Sequence, residues 1–303
     1  MPPLPGETIL DKRRWAAERL DAVRRLLVFE PRGHPDMYGC FVTEPEDDGA
    51  DLGVVFFHNE GYSTACGHGT IALVTWALES GRIDVGGADA RVVVDAPSGR
   101  LETWARVENG RVHSVRFRNV PSFVAADGFS AEGLGVDVAF GGAFYASVRS
   151  PLPVAPAGVP ALIELGRAVK RSLEAERTFV HPVEPDLRDV YGVIFWEPVE
   201  AGPPLRQRNV TVFADGQVDR SPCGSGTSAR LALLDRAGEL PRGAELVHES
   251  VIGTEFRAWV VGQARVAGLP AVVTEVSGSA FRTGAHEFIL DPADPLAEGF
   301  LLR

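Results

Sequence analysis

Three cysteines, Cys40, Cys66 and Cys223, are candidates for proton-transfer or covalent chemistry in this 303-residue sequence. They form no Cys-x-x-Cys pair and no Cys/His cluster at zinc spacing, so the sequence predicts no metal site. Their odd number argues against structural disulfides. Residues 1–6 also lack the basic and apolar stretches of a secretory signal, and a protein that is not exported is not expected to contain structural disulfides. Each cysteine is therefore either a small buried apolar residue or a reactive thiol. Cys40 lies in the apolar run Tyr38–Val42 and is expected to be buried and inert.

Cys66 and Cys223 open two copies of one motif. The sequence reads Cys-Gly-His-Gly-Thr from Cys66 and Cys-Gly-Ser-Gly-Thr from Cys223, and Gly81 and Gly238 follow at the same offset. Each copy leads into a largely apolar segment that has the character of a buried helix. Because the copies lie about half the chain apart, the sequence predicts two similar domains, residues 1–150 and 151–303. A return of the C-terminal strand to the first domain is left open.

A cysteine directly before a glycine-rich helix start lies beside backbone N–H groups that have no partner inside the helix. It also lies at the positive end of the helix dipole, and both effects predict a lowered thiol pKa. The same free amides are suited to binding a carboxylate, since glycine lets a ligand approach the backbone. These are the amides of Gly67, His68, Gly224 and Ser225. Two such helix starts facing each other would hold one carboxylate between two thiols, an arrangement for moving the proton on the adjacent carbon.

The motif has two competing interpretations. Both copies could be tight strand-to-helix turns with incidental cysteines, but a duplication that takes two of three cysteines favours function. A phosphate-binding loop is disfavoured because neither copy ends in Gly-Lys-Ser/Thr. Gly67 and Gly69 also lack the third glycine of the dinucleotide-binding fingerprint.

The elements that must position these residues are mostly strands. Short runs of β-type residues alternate with turn signals such as Asn109-Gly110 and Asp215-Gly216. The runs are Leu52–Phe57, Val92–Val94, Val112–Phe117, Val190–Phe195, Val210–Phe213, Arg257–Val261 and Ala271–Val276. Besides the two segments after the cysteines, helices are predicted over Asp11–Leu27 and Pro160–Ala175.

The composition excludes several classes of function. A net charge of −11 and a pI near 5.2 argue against nucleic acid and acidic membrane surfaces as partners. No apolar run is long enough to span a bilayer. Apolar residues make up 45% and charged residues 23%, as in ordinary globular proteins, and a cytoplasmic location is expected.

At the motif residues the sequence resembles the proline racemase superfamily, which includes proline racemase, hydroxyproline 2-epimerases and trans-3-hydroxyproline dehydratases. The most specific blocks are Gly61–Thr70 and Asp219–Thr227, and the likeness runs from Leu4–Thr8 through Glu30–Gly39 to Asp291–Leu296. The resemblance implies an α/β (α+β) fold like that of diaminopimelate epimerase. Such a fold has two pseudo-symmetric domains, each a curved sheet around a central helix, with the active site in the interdomain cleft.

The resemblance also implies roles for single residues. Cys66 and Cys223 match the two catalytic thiols of the family, one acting as thiolate base and the other as thiol acid. His68 and Asp219 match residues beside the amino group and ring of the substrate. Two aromatic residues align with the pocket wall: Tyr38 and Phe213. The implied partner is a small molecule, proline or hydroxyproline, with no cofactor and no metal, and the family allows a homodimer.

Two features depart from the simplest member of the family. The block His58–Ser63 looks most like the dehydratase branch, whose members usually carry threonine where this chain has Cys223. With that second thiol present, the two-base machinery of a racemase or epimerase is complete. Family members also usually begin with a strand bearing Asp-x-His-Thr-x-Gly-Glu-Pro ahead of the Pro5–Thr8 stretch. Either the start of this sequence was placed too late or the domain has lost that strand, and a lost strand would leave a sheet edge open.

The sequence therefore predicts a cofactor-independent proline or hydroxyproline racemase or 2-epimerase. A trans-3-hydroxy-L-proline dehydratase is the alternative, and a non-catalytic amino-acid-binding protein is a more distant one. Because the second thiol is a reacting group, 4-hydroxy-L-proline or L-proline is predicted to invert at Cα. If 3-hydroxy-L-proline is accepted, part of it is predicted to be dehydrated.

Overall fold

The computed structural model describes residues 3–84 and 87–302, so Met1 and Pro2 of the chain start considered above lie outside the described residues. The helices are α1 (Ile9–Arg19), α2 (Asp21–Val28), α3 (Gly67–Glu79), α4 (Val159–Glu176) and α5 (Gly224–Ala237). None of these described helices is long and apolar enough to cross a membrane.

The described residues also form fifteen strands in one sheet. They are β1 (Tyr38–Thr43), β2 (Leu52–His58), β3 (Gly61–Tyr62), β4 (Asp89–Ala96), β5 (Gly99–Glu108), β6 (Arg111–Arg118), β7 (Phe123–Ala131), β8 (Leu134–Phe140), β9 (Phe144–Arg149), β10 (Val190–Glu200), β11 (Leu205–Phe213), β12 (Gln217–Val218), β13 (Glu245–Ser250), β14 (Glu255–Val266) and β15 (Leu269–Gly278).

The predicted elements are present, with one helix divided. All seven predicted strand runs lie within observed strands, and α4 covers the predicted helix of residues 160–175. The predicted helix over Asp11–Leu27 is wrong as a single helix, because Leu20 leaves helical geometry at φ −119° and ψ 13° and separates α1 from α2. Thr8 and Asp11 form a capping box that starts α1.

The internal repeat predicted from the motif is visible in the strand pairing. In the first copy β1 and β2 are antiparallel, β2 is parallel to β4, and β4, β5 and β6 continue antiparallel. In the second copy β10 and β11 are antiparallel, β11 is parallel to β13, and β13, β14 and β15 continue antiparallel. The two-residue strands β3 and β12 pair with β2 and β11, and each is followed by the cysteine and its helix.

The two copies share one curved sheet, which confirms the expected mixed α/β fold. Strand β6 pairs with β15, and β9 pairs in parallel with β10. Strands β7 to β9 therefore extend the sheet of the second copy although they precede residue 150 in the chain. The domain boundary at that residue stays a prediction. Strand β1 forms one edge of the sheet among the described residues.

The central helices differ in how completely they are enclosed. Residues 224–234 of α5 are all buried, because α5 packs against β7, β8, β9, β14 and β15. Helix α3 packs against β1, β5, β6 and β15 but exposes Ala72 and Trp76. The sequence-based expectation of buried central helices is therefore confirmed for α5, whereas α3 keeps one open face because strands β7 to β9 cover only α5.

The N-terminal ends of α3 and α5 meet through two glycines. A Cβ atom placed on Gly67 would lie 2.5 Å from the Cα of Gly224, and a Cβ atom on Gly224 would lie 2.7 Å from the Cα of Gly67. The ring of Phe117 would lie 2.9 Å from either added atom. Backbone at this distance leaves no room for a side chain on either residue, so these motif glycines let the two helix starts touch.

Replacing either glycine by alanine should push the helix starts apart. We expect Gly67→Ala and Gly224→Ala each to lower the free energy of unfolding by about 1–3 kcal/mol, as overpacking does in a rigid core. Urea denaturation measures this quantity. Gly135→Ala is the matched control, because an added Cβ at that exposed position meets nothing within 4 Å. Equal stability of all three variants would contradict the close contact.

Candidate active site

Cys66 is the N-cap residue of α3. Its backbone is extended, with φ −150° and ψ 98°, and its sulfur accepts a hydrogen bond from the Gly69 N–H at 3.3 Å. The Thr70 hydroxyl donates to the Cys66 carbonyl at 2.9 Å. A Cβ on Gly69 would lie 2.8 Å from the Cys66 sulfur. The motif thus builds a helix start in which sulfur occupies the place that an oxygen usually takes in a cap.

Cys223 precedes α5 in a different conformation. Its φ of 62° and ψ of 102° lie in a region that is costly for any residue with a side chain. The Cys223 N–H donates to the Ser221 hydroxyl at 3.1 Å, and its carbonyl accepts from the Thr227 N–H at 2.7 Å. The Thr227 hydroxyl donates to the Pro222 carbonyl at 3.1 Å and accepts from Nδ1 of the buried His248 at 2.8 Å. This network holds the strained turn in place.

One small cavity brings the two thiols together. Its lining residues are Tyr38, Ala65, Cys66, Gly67, His68, Tyr145, Tyr191, Thr211, Phe213, Asp219, Cys223, Gly224 and Ser225. The cavity offers only about 10 Å³ to the centre of a water-sized sphere, which is room for about one water molecule. The cavity is therefore smaller than the five-membered ring that the family resemblance implies as substrate.

All nine site residues predicted from the sequence line this cavity. Cys40 does not: it lies on β1 and lines a separate apolar groove along the open face of α3. Burial raises the pKa of the Cys40 thiol to about 12, in keeping with an inert residue. Within residues 3–84 and 87–302, no group of three or more His, Cys, Asp or Glu side chains is arranged to hold a metal ion. The predicted catalytic and binding roles, and the independence from cofactors, stay predictions.

The backbone amides at the two helix starts are free. Among the described residues, no acceptor receives a hydrogen bond from the amides of Gly67, His68, Gly224 and Ser225. The first amides of a helix have no partner within the helix, and the four residues that carry these amides all line the cavity between the thiols. Such a set of donors, at the positive ends of two helix dipoles, is suited to an anionic group such as a carboxylate.

An ion pair between the two copies of the repeat lies beside the thiols. Nδ1 of His68 is 3.3 Å from an Asp219 oxygen and 3.0 Å from the Ser221 hydroxyl. The backbone N–H of Ser221 donates to Asp219 at 2.8 Å. Burial by itself would lower the pKa of His68, but the charge of Asp219, followed by that of Cys66, raises this pKa well above its ordinary value. Burial likewise opposes ionisation of Asp219, yet the His68 charge brings the pKa of that carboxyl below its usual value.

The predicted lowering of the thiol pKa is wrong for Cys223. Burial, followed by the negative charge of Asp219, raises the pKa of this thiol to about 12. Contacts with the Tyr145 hydroxyl and the Gly226 N–H lower it only in part. The helix-dipole argument holds for a helix start in contact with solvent, whereas this one is buried, and removal from water penalises the thiolate more than the dipole stabilises it.

Aromatic side chains form the rest of the cavity wall. Tyr38 donates to the Ser63 hydroxyl, and its own hydroxyl lies 3.0 Å from that of Tyr191. The ring of His58 packs at 5.4 Å from both Tyr38 and Phe213, and burial, followed by the charge of Arg24, lowers its pKa to about 3. The block from His58 to Ser63 therefore supports the cavity wall from behind.

Sequence reasoning missed Tyr145 and Tyr191, which lie on strands of the second copy far from either motif. A compositional signal was present, because the chain has only four tyrosines and three of them line this cavity. The supporting residue His248 was missed as well. It lies on β13, and nothing in its sequence surroundings indicates a contact with the Cys223 turn.

This chain is similar to several proteins of known family. The profile of the proline racemase family matches residues 1–301. The chain is 44% identical over 313 residues to a trans-3-hydroxy-L-proline dehydratase of Bacillus cereus, covering 100% of this chain and 92% of that protein. It is 45% identical over 311 residues to a 3-hydroxyproline 2-epimerase of Burkholderia multivorans, with the same coverage. A hydroxyproline epimerase from Agrobacterium vitis, solved with bound trans-4-hydroxy-L-proline, superposes with a TM-score of 0.92 at 32% identity, over 99% of this chain and 89% of that one.

The charge on His68 depends on Asp219. In Asp219→Asn we expect the pKa of His68 to fall, because burial then acts without the opposing carboxylate. NMR titration of the histidine ring protons measures this change, with the exposed His113 as an internal reference.

The interaction between His68 and Asp219 should also make the stability of the wild-type protein depend on pH. The ion pair stabilises the fold at a pH below the raised pKa of His68 and above the lowered pKa of Asp219, and this contribution is lost outside that window. Asp219→Asn should remove this pH dependence from thermal unfolding. A His68 titration that is the same in both proteins would show that the two groups are not coupled.

Proposed function

Because the chain belongs to the proline racemase family, we propose that it is a 2-epimerase of hydroxylated proline, with 3-hydroxyproline as the first candidate substrate. Cys66 and Cys223 take and return the proton on Cα. The observation that carries this proposal is the convergence of both thiols and both sets of free helix-start amides on one cavity. Relatives named for 3-hydroxyproline support the choice of substrate ahead of L-proline.

The substrate carboxylate is assigned to the free amides. The amides of Gly67 and Gly224 lie at the point where the two helix starts touch, so a carboxylate placed there would accept hydrogen bonds from both copies of the repeat. When Cα loses its proton, negative charge spreads into the carboxylate, and donors already in position stabilise that charge without rearrangement.

The substrate ammonium group is assigned to Asp219. This carboxyl keeps its negative charge in the buried cavity because its pKa is lowered by His68. An arriving ammonium group would share Asp219 with His68 and fix the ring orientation. Tyr38 and Phe213, whose rings lie 5.8 Å apart, would line the apolar face of the ring.

Two thiols on opposite faces of Cα provide the base and the acid. The sulfur of Cys66 accepts from the Gly69 N–H and adjoins protonated His68, so Cys66 is suited to be the thiolate that takes the proton. The raised pKa of Cys223 keeps it protonated and suits it to return a proton to the other face. The roles of the two thiols reverse with the substrate enantiomer.

Dehydration is the second candidate outcome. It begins with the same removal of the Cα proton and continues with departure of the 3-hydroxyl group in place of reprotonation. Several relatives at 44–45% identity are named trans-3-hydroxy-L-proline dehydratases. The His58–Ser63 block, typical of that branch, supports Tyr38 in the cavity wall. We favour epimerisation because Cys223 provides a second acid that dehydration does not need.

Removal of either thiol should abolish inversion. We expect Cys66→Ser and Cys223→Ser each to lower the rate of inversion of 3-hydroxyproline by about 10²–10⁴-fold, since serine is a far weaker acid and general acid–base catalysis contributes about that much. Proton NMR in deuterated water measures exchange and inversion at Cα. Cys40→Ser, outside the cavity, is the control and should retain the wild-type rate. Unchanged inversion by Cys66→Ser would refute the two-thiol mechanism.

The products separate the two outcomes. Trans-3-hydroxy-L-proline should give mainly its Cα epimer and a smaller amount of the dehydrated cyclic imine, while 4-hydroxy-L-proline should only invert. NMR of both reaction mixtures identifies the products. Imine from 3-hydroxyproline without inversion of either substrate would assign the chain to the dehydratases instead.

A further inference from the structure

The two thiols have different polar neighbours. The Cys223 sulfur donates to the Tyr145 hydroxyl at 3.7 Å and lies 3.9 Å from the Ser225 hydroxyl, and these two hydroxyls are 2.7 Å apart. Tyr145 is only 1% exposed and Ser225 only 2% exposed. Each sulfur also has a backbone N–H group nearby, from Gly69 for Cys66 and from Gly226 for Cys223, but among the described residues no hydroxyl group is hydrogen-bonded to the Cys66 sulfur. A triangle of one thiol and two hydroxyls is thus built on the second side of the cavity alone.

The hydrogen atoms of this triangle can be placed by counting donors. When the thiol donates to the Tyr145 oxygen, the Tyr145 hydroxyl is left to donate to Ser225, and the Ser225 hydroxyl can donate to sulfur. Each group then gives one hydrogen bond and accepts one. A neutral Cys223 thiol is fully satisfied in this arrangement without any water molecule.

Loss of the Cys223 proton changes which hydrogen bonds the two hydroxyl groups can make to the sulfur. A thiolate only accepts, and the Ser225 hydroxyl already donates to the sulfur. A rotation of the Tyr145 hydroxyl about its C–O bond, from Ser225 toward the sulfur, supplies a second hydroxyl donor to the charge. The tyrosine can do this because burial, followed by the charge of Cys223, raises its own pKa and keeps its proton in place. A buried anion without such a donor would bear a large desolvation penalty.

We propose that Tyr145 is a further catalytic residue, whose hydroxyl accepts from the Cys223 thiol in the resting state and donates to the Cys223 sulfur once that proton has been delivered. This inference rests on the proposed function only in taking Cys223 as a reacting thiol. Both sulfurs have a helix-start N–H nearby, from Gly69 for Cys66 and from Gly226 for Cys223, and the proposal adds a hydroxyl donor in the second half of the repeat.

The test is alkylation of each cysteine in the absence of substrate. Iodoacetamide reacts with the thiolate, so its rate at a fixed pH follows the thiolate fraction, offset in part by the higher reactivity of a more basic thiolate. In Tyr145→Phe we expect the Cys223 rate to fall about three- to tenfold, since a hydrogen bond to a charged group is lost. Peptide mass spectrometry measures both cysteines in one sample.

Cys66 provides an internal control because it lines the same cavity and reports any change in access. Tyr62→Phe is the matched variant, since the Tyr62 hydroxyl donates to the Ala16 carbonyl and does not line the cavity between the thiols. It should leave the ratio of the Cys223 rate to the Cys66 rate unchanged. Ser225→Ala should lower that ratio in the same direction by a smaller factor, and it carries the test if Tyr145→Phe fails to fold.

Only a fall in the alkylation rate that is confined to Cys223 supports the proposal. An unchanged ratio in Tyr145→Phe, an increase in the Cys223 rate, or an equal fall at both cysteines would overturn it. Because no substrate is present, the result is separate from the turnover assays. A chain that inverts no proline yet shows the selective fall would keep the tyrosine–thiol contact and lose the proposed reaction.

Discussion

The contact between Gly67 and Gly224 is the constraint on which the rest of the structure depends. It places the N-terminal ends of α3 and α5 head to head inside the protein, with an added Cβ on either glycine lying 2.5–2.7 Å from the Cα of the other. Each helix end carries a partial positive charge of about half a unit, so the approach is electrostatically unfavourable until an anion lies between them. Two facing helix ends of this kind stabilise a negative charge placed between them, and in the proposed mechanism that charge is the substrate carboxylate.

The repeat gives the site two sides with the same topology but different chemistry. Cys66 lies in relaxed extended backbone and caps its helix through sulfur, whereas Cys223 is held at a positive φ by hydrogen bonds from its own turn. Helix α5 is enclosed by β7 to β9, and α3 is open on one face. The second thiol therefore lies beside the more enclosed helix, and burial raises its pKa to about 12.

Much of this could be predicted from the sequence because the motif carries its own structural requirements. Glycines that admit close backbone contact, and cysteines at helix starts, identified the six motif residues Cys66, Gly67, His68, Cys223, Gly224 and Ser225. Asp219, Tyr38 and Phe213 came only from the resemblance to a known family, and all nine residues line the cavity. Tyr145, Tyr191 and His248 were not predicted, because they lie on strands whose positions are set by the pairing of the whole sheet. For the two tyrosines, only their rarity in the composition was a signal. The pKa of Cys223 was predicted in the wrong direction because burial is a tertiary property. The division of the first helix at Leu20 likewise has no strong local signal.

The proposed mechanism requires one carbon beside a carboxylate to lie between the two sulfurs while both helix starts hold the carboxylate. A crystal structure with pyrrole-2-carboxylate tests it most directly, because this flat ring imitates the flattened Cα of the deprotonated substrate. We predict that its carboxylate oxygens accept hydrogen bonds from the amides of both α3 and α5. The ring carbon that bears the carboxylate should lie between the sulfurs of Cys66 and Cys223. A carboxylate bound away from the helix starts, or a ring carbon facing only one of the two sulfurs, would contradict the account.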